Sequence, residues 1–172
     1  MVTTRATTMG RGRSVLAAVF STQPAALGLD LALIAVRVVM GVIFIYYGGQ
    51  KLFGWFNGLG FDGTAQLLME DTAHLHPGEL FALLGGVTEF GGGIALLLGL
   101  GARLVGVALV GDMLMAMITI TWENGLHNTT GRSGYELNLA LAALALLIVF
   151  VGAGRFSVDA FAERWLSGRA PR

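Results

Sequence analysis

The 172 residues are 55% hydrophobic and only 13% charged, against roughly 25% charged in soluble globular domains, which argues against a soluble protein. The 11 Lys and Arg residues balance the 11 Asp and Glu residues, so nucleic-acid binding lacks its usual electrostatic driving force. Cysteine is absent, which excludes disulfides, zinc–thiolate sites and iron–sulfur clusters formed by the chain itself, so that any redox role borrows its cofactor.

The N-terminal segment, residues 1–28, is predicted to be a flexible cytoplasmic extension. Arg11 and Arg13 precede a short apolar run, residues 15–20, as they would in a secretory signal. That run is shorter than the usual hydrophobic region of a signal peptide, so we predict that the segment is not cleaved. The alternative is a short interfacial helix whose arginines face anionic lipid headgroups.

Four apolar segments approach the roughly 20 residues that a helix needs to cross a bilayer. They cover about residues 30–49, 79–100, 103–121 and 136–152, within one membrane domain of residues 29–160. A soluble bundle needs a polar stripe along each helix, and the run 137–151 is polar only at Asn138. The sequence therefore predicts an all-α, multi-pass integral membrane four-helix bundle in the cell membrane, followed by a basic tail, residues 161–172.

The distribution of basic residues predicts the orientation of the bundle. Only Lys51 and Arg132 lie beside the two long loops, whereas the other side carries Arg5, Arg11, Arg13, Arg103, Arg155, Arg164, Arg169 and Arg172. Because Lys and Arg concentrate in cytoplasmic loops, both the N-terminus and the C-terminus are predicted to be cytoplasmic. The two loops on the opposite, outer side then form the candidate functional face.

Three charged residues fall near the middle of the predicted spans: Arg37, Glu89 and Asp112. Each costs at least about 2.5 to 3.5 kcal/mol in hydrocarbon and should find a partner inside the bundle. We predict an ion pair between Arg37 and Glu89. A second carboxylate would make the cluster negative, so Asp112 is the candidate to carry a proton. Glu89 and Asp112 are thus candidate catalytic, proton-exchanging carboxylates; the alternative is a purely structural bridge.

Aromatic and polar residues collect at the predicted outer boundary of the membrane. They are Tyr46, Tyr47, Lys51, Trp55, Trp122, Tyr135 and Glu136. One interpretation is an interfacial aromatic belt, with Lys51 snorkelling at a span end and Glu136 complementing a helix dipole. The other is a mouth for a lipid-soluble ring compound such as a membrane quinone.

The first outer loop, residues 50–78, is too apolar for an ordinary exposed loop. Asp62 is predicted to cap a short helix from Gly63 to Glu70. Leu67 and Leu68 would then rest on the top of the bundle.

No metal site is predicted. His74, His76 and His127, with Glu123, are weak candidates, because a His-x-His pair needs further ligands from another loop. Histidine is missing from the predicted spans, which also argues against a haem held between two histidines of this chain.

Several sequence blocks occur in one order along about residues 31–160. They are Arg37 with Gly41 and Phe44, Gly48-Gly49-Gln50-Lys51-Leu52-Phe53-Gly54-Trp55-Phe56, Glu89 with its flanking glycines, Gly99-Leu100-Gly101-Ala102-Arg103, Trp122-Glu123-Asn124-Gly125, Gly134-Tyr135-Glu136 and Gly154-Arg155-Phe156-Ser157-Val158-Asp159. Together these blocks resemble the DoxX family of small four-span membrane proteins. Ala102 departs from the pattern, since a polar residue often precedes the arginine of that turn.

The resemblance implies a bacterial protein linked to the DoxD subunit of thiosulfate:quinone oxidoreductase and to terminal quinol oxidase complexes. It makes the chain a candidate quinone-interacting or accessory subunit of a membrane oxidoreductase complex, with Arg37, Lys51, Glu89 and Glu136 as the polar positions carried over. Whether the chain alone is an enzyme stays open. The expected partners are membrane lipids and either proteins of a redox complex or a second copy of the chain.

Two other functions remain open from the sequence. Some relatives are associated with redox-defence complexes that contain a superoxide dismutase and a sulfurtransferase, which suggests a non-catalytic scaffold for soluble enzymes. A small proton-coupled transporter ranks last, because the chain shows no inverted repeat or broken helix.

Overall fold

The computed structural model describes residues 26–71, 75–127 and 134–167, and this part of the chain is all-α, as predicted. The helices are α1 (Ala26–Phe53), α2 (Gly60–Gln66), α3 (Gly78–Leu98), α4 (Ala102–Ala116), α5 (Glu136–Val151) and α6 (Val158–Ser167). Short 3-10 turns cover Trp55–Asn57 and Trp122–Asn124, and π-helical turns cover Leu67–Asp71 and Met117–Thr121. The predicted flexible segment, up to residue 25, and residues 168–172 of the predicted tail lie outside the described residues.

The long helices α1, α3, α4 and α5 form an antiparallel bundle. Helix α3 packs between α1 and α4, and α5 packs mainly on α4. We call the end with the α3–α4 turn the inner end, and the end with the α1–α3 and α4–α5 connections the outer end. The largest fully buried side chains come from all four helices: Leu33, Met40, Phe44, Leu96, Leu109 and Ile148.

The outer surface of the bundle is apolar, as the bilayer requires. Three helical segments, Leu27–Phe53, Gly78–Leu98 and Ala102–Asn124, are long and apolar enough to cross a membrane; α5 is equally apolar but has 16 residues. Large apolar side chains point outwards, with Leu104 80%, Phe150 76% and Ile118 65% exposed. A continuous apolar surface of this kind is unstable in water. The chain is therefore a membrane protein.

Glycines bring α1 and α3 into close contact. A β-carbon on Gly93 would lie 2.8 Å from the carbonyl oxygen of Gly41, and one on Gly48 would overlap the backbone of Phe90. Small residues allow membrane helices to approach in this way. These contacts set the height at which the polar residues of α1 face those of α3.

The α3–α4 turn depends on two glycines in the left-handed region, Gly99 at φ +67° and Gly101 at φ +57°. The amide of Gly99 donates to Leu96 O at 3.1 Å and that of Leu100 to Ala95 O at 2.9 Å. This pattern is a Schellman motif, in which glycine avoids the strain that a β-carbon causes at positive φ. It reverses the chain within a few residues.

Asp159 forms hydrogen bonds with the second half of this turn, where α4 begins. Its carboxylate accepts hydrogen bonds from the amides of Gly101 at 2.7 Å and Ala102 at 2.9 Å. The first amides of a helix have no partner within the helix. A residue at the start of α6 therefore caps the N-terminus of α4.

Replacing Asp159 by Ala should cost about 1 to 2 kcal/mol of the free energy of unfolding, the usual range for loss of a capping side chain. Unfolding in mixed micelles by SDS titration measures the change. The exposed Glu163 on the same helix gives a matched control, since Glu163→Ala removes the same charge without a cap. Equal stability of the two variants would contradict the capping role.

The first outer loop folds back over the bundle and forms a cap. Leu68 and Ala65 are buried against Ala82 of α3. The predicted start of the short helix was wrong: α2 begins at Gly60, where φ is +69°, and Asp62 lies in its first turn rather than at the N-cap. An acidic residue there still complements the helix dipole.

Residues 161–167 of the predicted basic tail belong to the amphipathic helix α6. Val158, Phe161, Trp165 and Leu166 recur at helical spacing and are 41–76% exposed. This face is exposed in the described structure.

Candidate functional site

A cavity of about 660 Å³ lies between the cap and the outer halves of α3 and α4. Most of its walls are apolar, and they include Leu67, Leu68, Phe81, Leu84 and Ile120. The polar side chains on the walls are Gln50, Lys51, Asn57, Thr64, Thr88, Asp112 and Thr119. The volume is within the range of sites that bind small organic molecules.

An ion pair stands at the wall of this cavity. Lys51 Nζ lies 2.6 Å from Glu89 Oε1, and the Glu89 side chain is 3% exposed whereas that of Lys51 is 28% exposed. Lys51 faces the cavity, while Glu89 is buried behind it. Glu89 Oε2 accepts no hydrogen bond from an N–H or alcohol group among the described residues.

Asp112 completes the cluster from α4. Its carboxyl group lies within hydrogen-bonding reach of the Glu89 carboxyl and close to the charge of Lys51. Two carboxyl groups can share a hydrogen bond only if one of them carries a proton. With one proton the cluster of Lys51, Glu89 and Asp112 has no net charge, which suits a site inside a membrane protein.

The predicted Arg37–Glu89 ion pair was wrong. Arg37 lies level with Leu97 on the antiparallel α3, to whose carbonyl oxygen it donates at 3.0 Å. Glu89 precedes Leu97 by eight residues, a distance of about 12 Å along a helix axis. The two helices pack with Gly41 opposite Gly93 and Gly48 opposite Phe90, and this register puts Arg37 nearer the inner end and Lys51 beside Glu89.

Arg37 instead joins helix ends at the inner end of the bundle. Besides Leu97 O, it donates to Leu96 O at 2.8 Å, Ala153 O at 2.8 Å and Phe156 O at 3.0 Å. The carbonyls at the C-terminus of a helix lack intrahelical donors. The buried guanidinium supplies donors to α3 and to the α5–α6 connection at once.

The cavity opens sideways between α3 and α4. Leu84 on α3 and Ala108, Gly111 and Met115 on α4 line the cavity and are also exposed on the outer surface. A β-carbon on Gly111 would meet nothing within 4 Å. This opening faces the region that lipid covers in a membrane.

Both π-helical turns contribute to the cavity walls. Leu67 and Leu68 come from the turn Leu67–Asp71, and Thr119 and Ile120 from the turn Met117–Thr121. Such interruptions of helical hydrogen bonding are frequent at functional sites. They widen the outer end of α4 and the cap where the cavity lies.

The predicted aromatic mouth does not form around the cavity, because only Lys51 of its seven residues lines the walls. Tyr46 stacks on Phe56 with ring centroids 4.6 Å apart, and Trp122 stacks on Tyr135 at 5.5 Å. Tyr47 and Trp55 join the first group through edge contacts. These exposed rings have the position expected of an interfacial belt.

The remaining polar candidates lie away from the cavity. Glu136 Oε1 lies 2.9 Å from His127 Nδ1 on the surface, and His76 is exposed. Within residues 26–71, 75–127 and 134–167, no group of three or more His, Asp or Glu side chains could hold a metal ion. His74 lies outside these ranges.

The sequence predicted a cluster of Glu89 and Asp112 with Arg37, but it did not predict that Lys51 is the cation beside the two carboxyl groups. A usable signal was the apolar pair Leu52 and Phe53 directly after Lys51, which is compatible with a helix that continues past Gly49 and keeps Lys51 on the bundle. The cavity itself could not be read from the sequence, because it depends on how the cap folds over α3.

Comparison with known proteins supports the assignment to a family. The family model of DoxX matches residues 32–122, more than half of the 172 residues. The matched region contains Arg37, Lys51, Glu89 and Asp112, together with every residue that lines the cavity. No match was found among curated proteins or among solved structures. The chain belongs to the DoxX family.

Proposed function

We propose that this membrane protein binds a lipid-soluble quinone in the outer cavity, as a quinone-interacting subunit of a membrane oxidoreductase complex. The observation that carries the proposal is the apolar 660 Å³ cavity with Lys51 and Asp112 on its wall. A quinone ring needs an apolar slot with a few polar groups at its oxygens, which this lining provides.

The lateral opening supports a ligand that arrives from the membrane. Ala108 and Gly111 leave little side chain at the gap between α3 and α4, so a flat ring can pass. The isoprenoid chain of a quinone would remain in the lipid. A water-soluble substrate would need an opening towards the aqueous side.

The polar cluster suits the oxygens of a quinone. Lys51 would donate a hydrogen bond to a carbonyl oxygen, and Glu89 would hold the ammonium group in position. Asp112 also lines the cavity, so its carboxyl group could form a hydrogen bond with a second ligand oxygen. Asp112 would thereby hold or release a proton at that oxygen.

When bound, a quinone supplies two-electron, two-proton redox chemistry. The chain contributes no cysteine, so we propose that a partner protein in the complex supplies the electrons. We also propose a multi-pass arrangement in the cell membrane with both termini cytoplasmic. Arg103, Arg155 and Arg164 support this orientation, since they share the inner end and basic residues concentrate on the cytoplasmic side.

Filling the cavity should abolish quinone binding without harming the fold. Gly111→Leu puts a side chain into the opening, and its β-carbon would meet no atom within 4 Å. We expect at least about a tenfold loss of affinity for a short-chain benzoquinone or naphthoquinone, since a ring displaced from its slot loses more than about 1.4 kcal/mol. Titration of the purified protein measures it, alongside mass spectrometry of extracted quinone and co-eluting proteins.

Gly91→Leu is the matched control, because Gly91 is also an exposed helix glycine with open space around it but does not line the cavity. Both variants should unfold at the wild-type SDS concentration or above, since Leu has the higher helix propensity. If Gly111→Leu binds quinone like Gly91→Leu, the cavity is not a quinone site. Soluble enzymes recovered without quinone would then favour the scaffold function.

A further inference from the structure

A groove of about 1220 Å³ lies at the inner end of the bundle, at the opposite end from the cavity. Its walls come from the start of α1, the start of α4, the α5–α6 connection and α6. The charged residues that line it are Asp30, Arg103, Arg155, Asp159, Glu163 and Arg164. Their formal charges cancel, so the groove suits a ligand with both signs of charge better than a simple anion.

Two of these groups are available for a ligand. The Arg103 guanidinium and the Glu163 carboxylate have no hydrogen bond or ion pair with any described residue. Asp159, by contrast, is occupied by the amides of α4. The free groups are one cation, on α4, and one anion, on α6, and both line the groove.

The buried carboxylate of Asp30 independently indicates a ligand site, because one of its oxygens lacks a hydrogen-bond donor in the described structure. It is 6% exposed, and its Oδ1 accepts the amide of Arg155 at 3.0 Å. Its Oδ2 has no hydrogen-bond partner in the described structure, and Arg155 Nε stands 4.0 Å away. A buried carboxylate oxygen without a donor is costly, so a ligand that brings an N–H group is stabilised here.

The surface beside the groove is suited to acyl chains. The exposed face of α6 carries Phe161, Trp165 and Leu166, and the groove wall itself includes Leu29 and Leu104. Amphipathic helices with tryptophan on the apolar face lie in the interfacial layer of a membrane. The charged groove would therefore lie at the depth of the headgroups.

We propose that this groove binds the headgroup of a zwitterionic aminophospholipid of the ethanolamine type. Arg103 and Arg155 hold the phosphate through charge-assisted hydrogen bonds. Glu163 and Asp30 accept from the ammonium group, and the acyl chains run along the apolar face of α6. The site is separate from the outer cavity and does not depend on quinone binding.

The test compares two lipids that share phosphate and acyl chains. Full-length protein, delipidated in detergent, is incubated with equal amounts of dioleoyl phosphatidylethanolamine and dioleoyl phosphatidylcholine, and bound lipid is counted by native mass spectrometry. We expect about tenfold more of the ethanolamine lipid, because choline has no N–H donor. Equal occupancy overturns the proposal. A parallel incubation replaces the choline lipid by dioleoyl phosphatidylglycerol, and a preference for that lipid also overturns the proposal, because it would mean a merely basic surface.

Two variants test which residues contact the ammonium and phosphate groups, and a third serves as a control. Glu163→Gln should reduce the preference to less than about threefold, whereas Glu123→Gln, an exposed residue at the outer end, should leave it unchanged. Arg103→Gln should lower the occupancy of both lipids, because the phosphate is common to them. If Glu163→Gln and Arg103→Gln, shown to be folded by circular dichroism, bind both lipids like wild type, the groove is not the lipid site.

Discussion

Replacing Arg37 by Met should destabilise the protein by at least about 3 to 5 kcal/mol. The four carbonyl oxygens that it binds belong to the C-terminal end of α3 and to the α5–α6 connection. Hydrogen bonds to a charged group contribute about 1.5 to 3 kcal/mol each, and a buried carbonyl left without a donor is penalised further. Unfolding by SDS titration in mixed micelles gives the change, and we expect a much lower yield of monodisperse protein.

Arg103→Met is the matched control, since Arg103 is an exposed arginine near the same end and its loss should change stability by about 0.5 kcal/mol or less. Arg37→Lys tests whether stability requires the planar guanidinium or only a positive charge at this position. A lysine ammonium cannot span carbonyls on two segments as the planar guanidinium does, so this variant should lose most of the stability too. Wild-type stability of Arg37→Lys would show that charge alone is needed at this position.

Lys51→Met should also be strongly destabilising, by about 3 to 5 kcal/mol, because it leaves Glu89 buried without its partner. The reverse variant, Glu89→Met, should cost less. The Lys51 side chain is 28% exposed and lines the cavity, so it can turn towards water or headgroups. The difference between the two single variants is a direct measure of how deeply each partner is buried.

The double variant Lys51→Met/Glu89→Met should recover to within about 1 kcal/mol of wild type, since apolar side chains of similar volume often replace a buried ion pair without loss. The double-mutant cycle isolates the interaction between the two side chains. Additive effects of the single variants would contradict the ion pair. A stable double variant that no longer binds quinone separates the structural role of the pair from its proposed role at the ligand.

The Arg37 variants and the Lys51 and Glu89 variants lie at opposite ends of the bundle, so we expect their effects on stability to be independent. Arg37 stabilises the inner end through backbone carbonyls, whereas Lys51 and Glu89 act beside the cavity. Variants at such distant sites usually have additive effects on stability. Loss of quinone binding in a folded Arg37 variant would therefore argue against the cavity as the binding site.

Local patterns in the sequence were sufficient for the class of fold and the approximate helices. The apolar runs predicted an all-α membrane bundle, and helices occur at all four predicted segments. The cost of a charge in hydrocarbon also predicted that Arg37, Glu89 and Asp112 point inwards; Arg37 and Glu89 are buried. These conclusions depend on composition and helical periodicity, which are properties of each segment alone.

Only the tertiary structure decided which charges meet. The close approach of α1 and α3 at Gly41, Gly48 and Gly93 sets their relative height, which brings Lys51 rather than Arg37 to Glu89. The cavity exists because the cap folds over α3 and α4, and the groove exists because α6 returns to the inner end. Each feature depends on contacts between segments far apart in the chain, and hydrophobic patterns within one segment carry no information about that register.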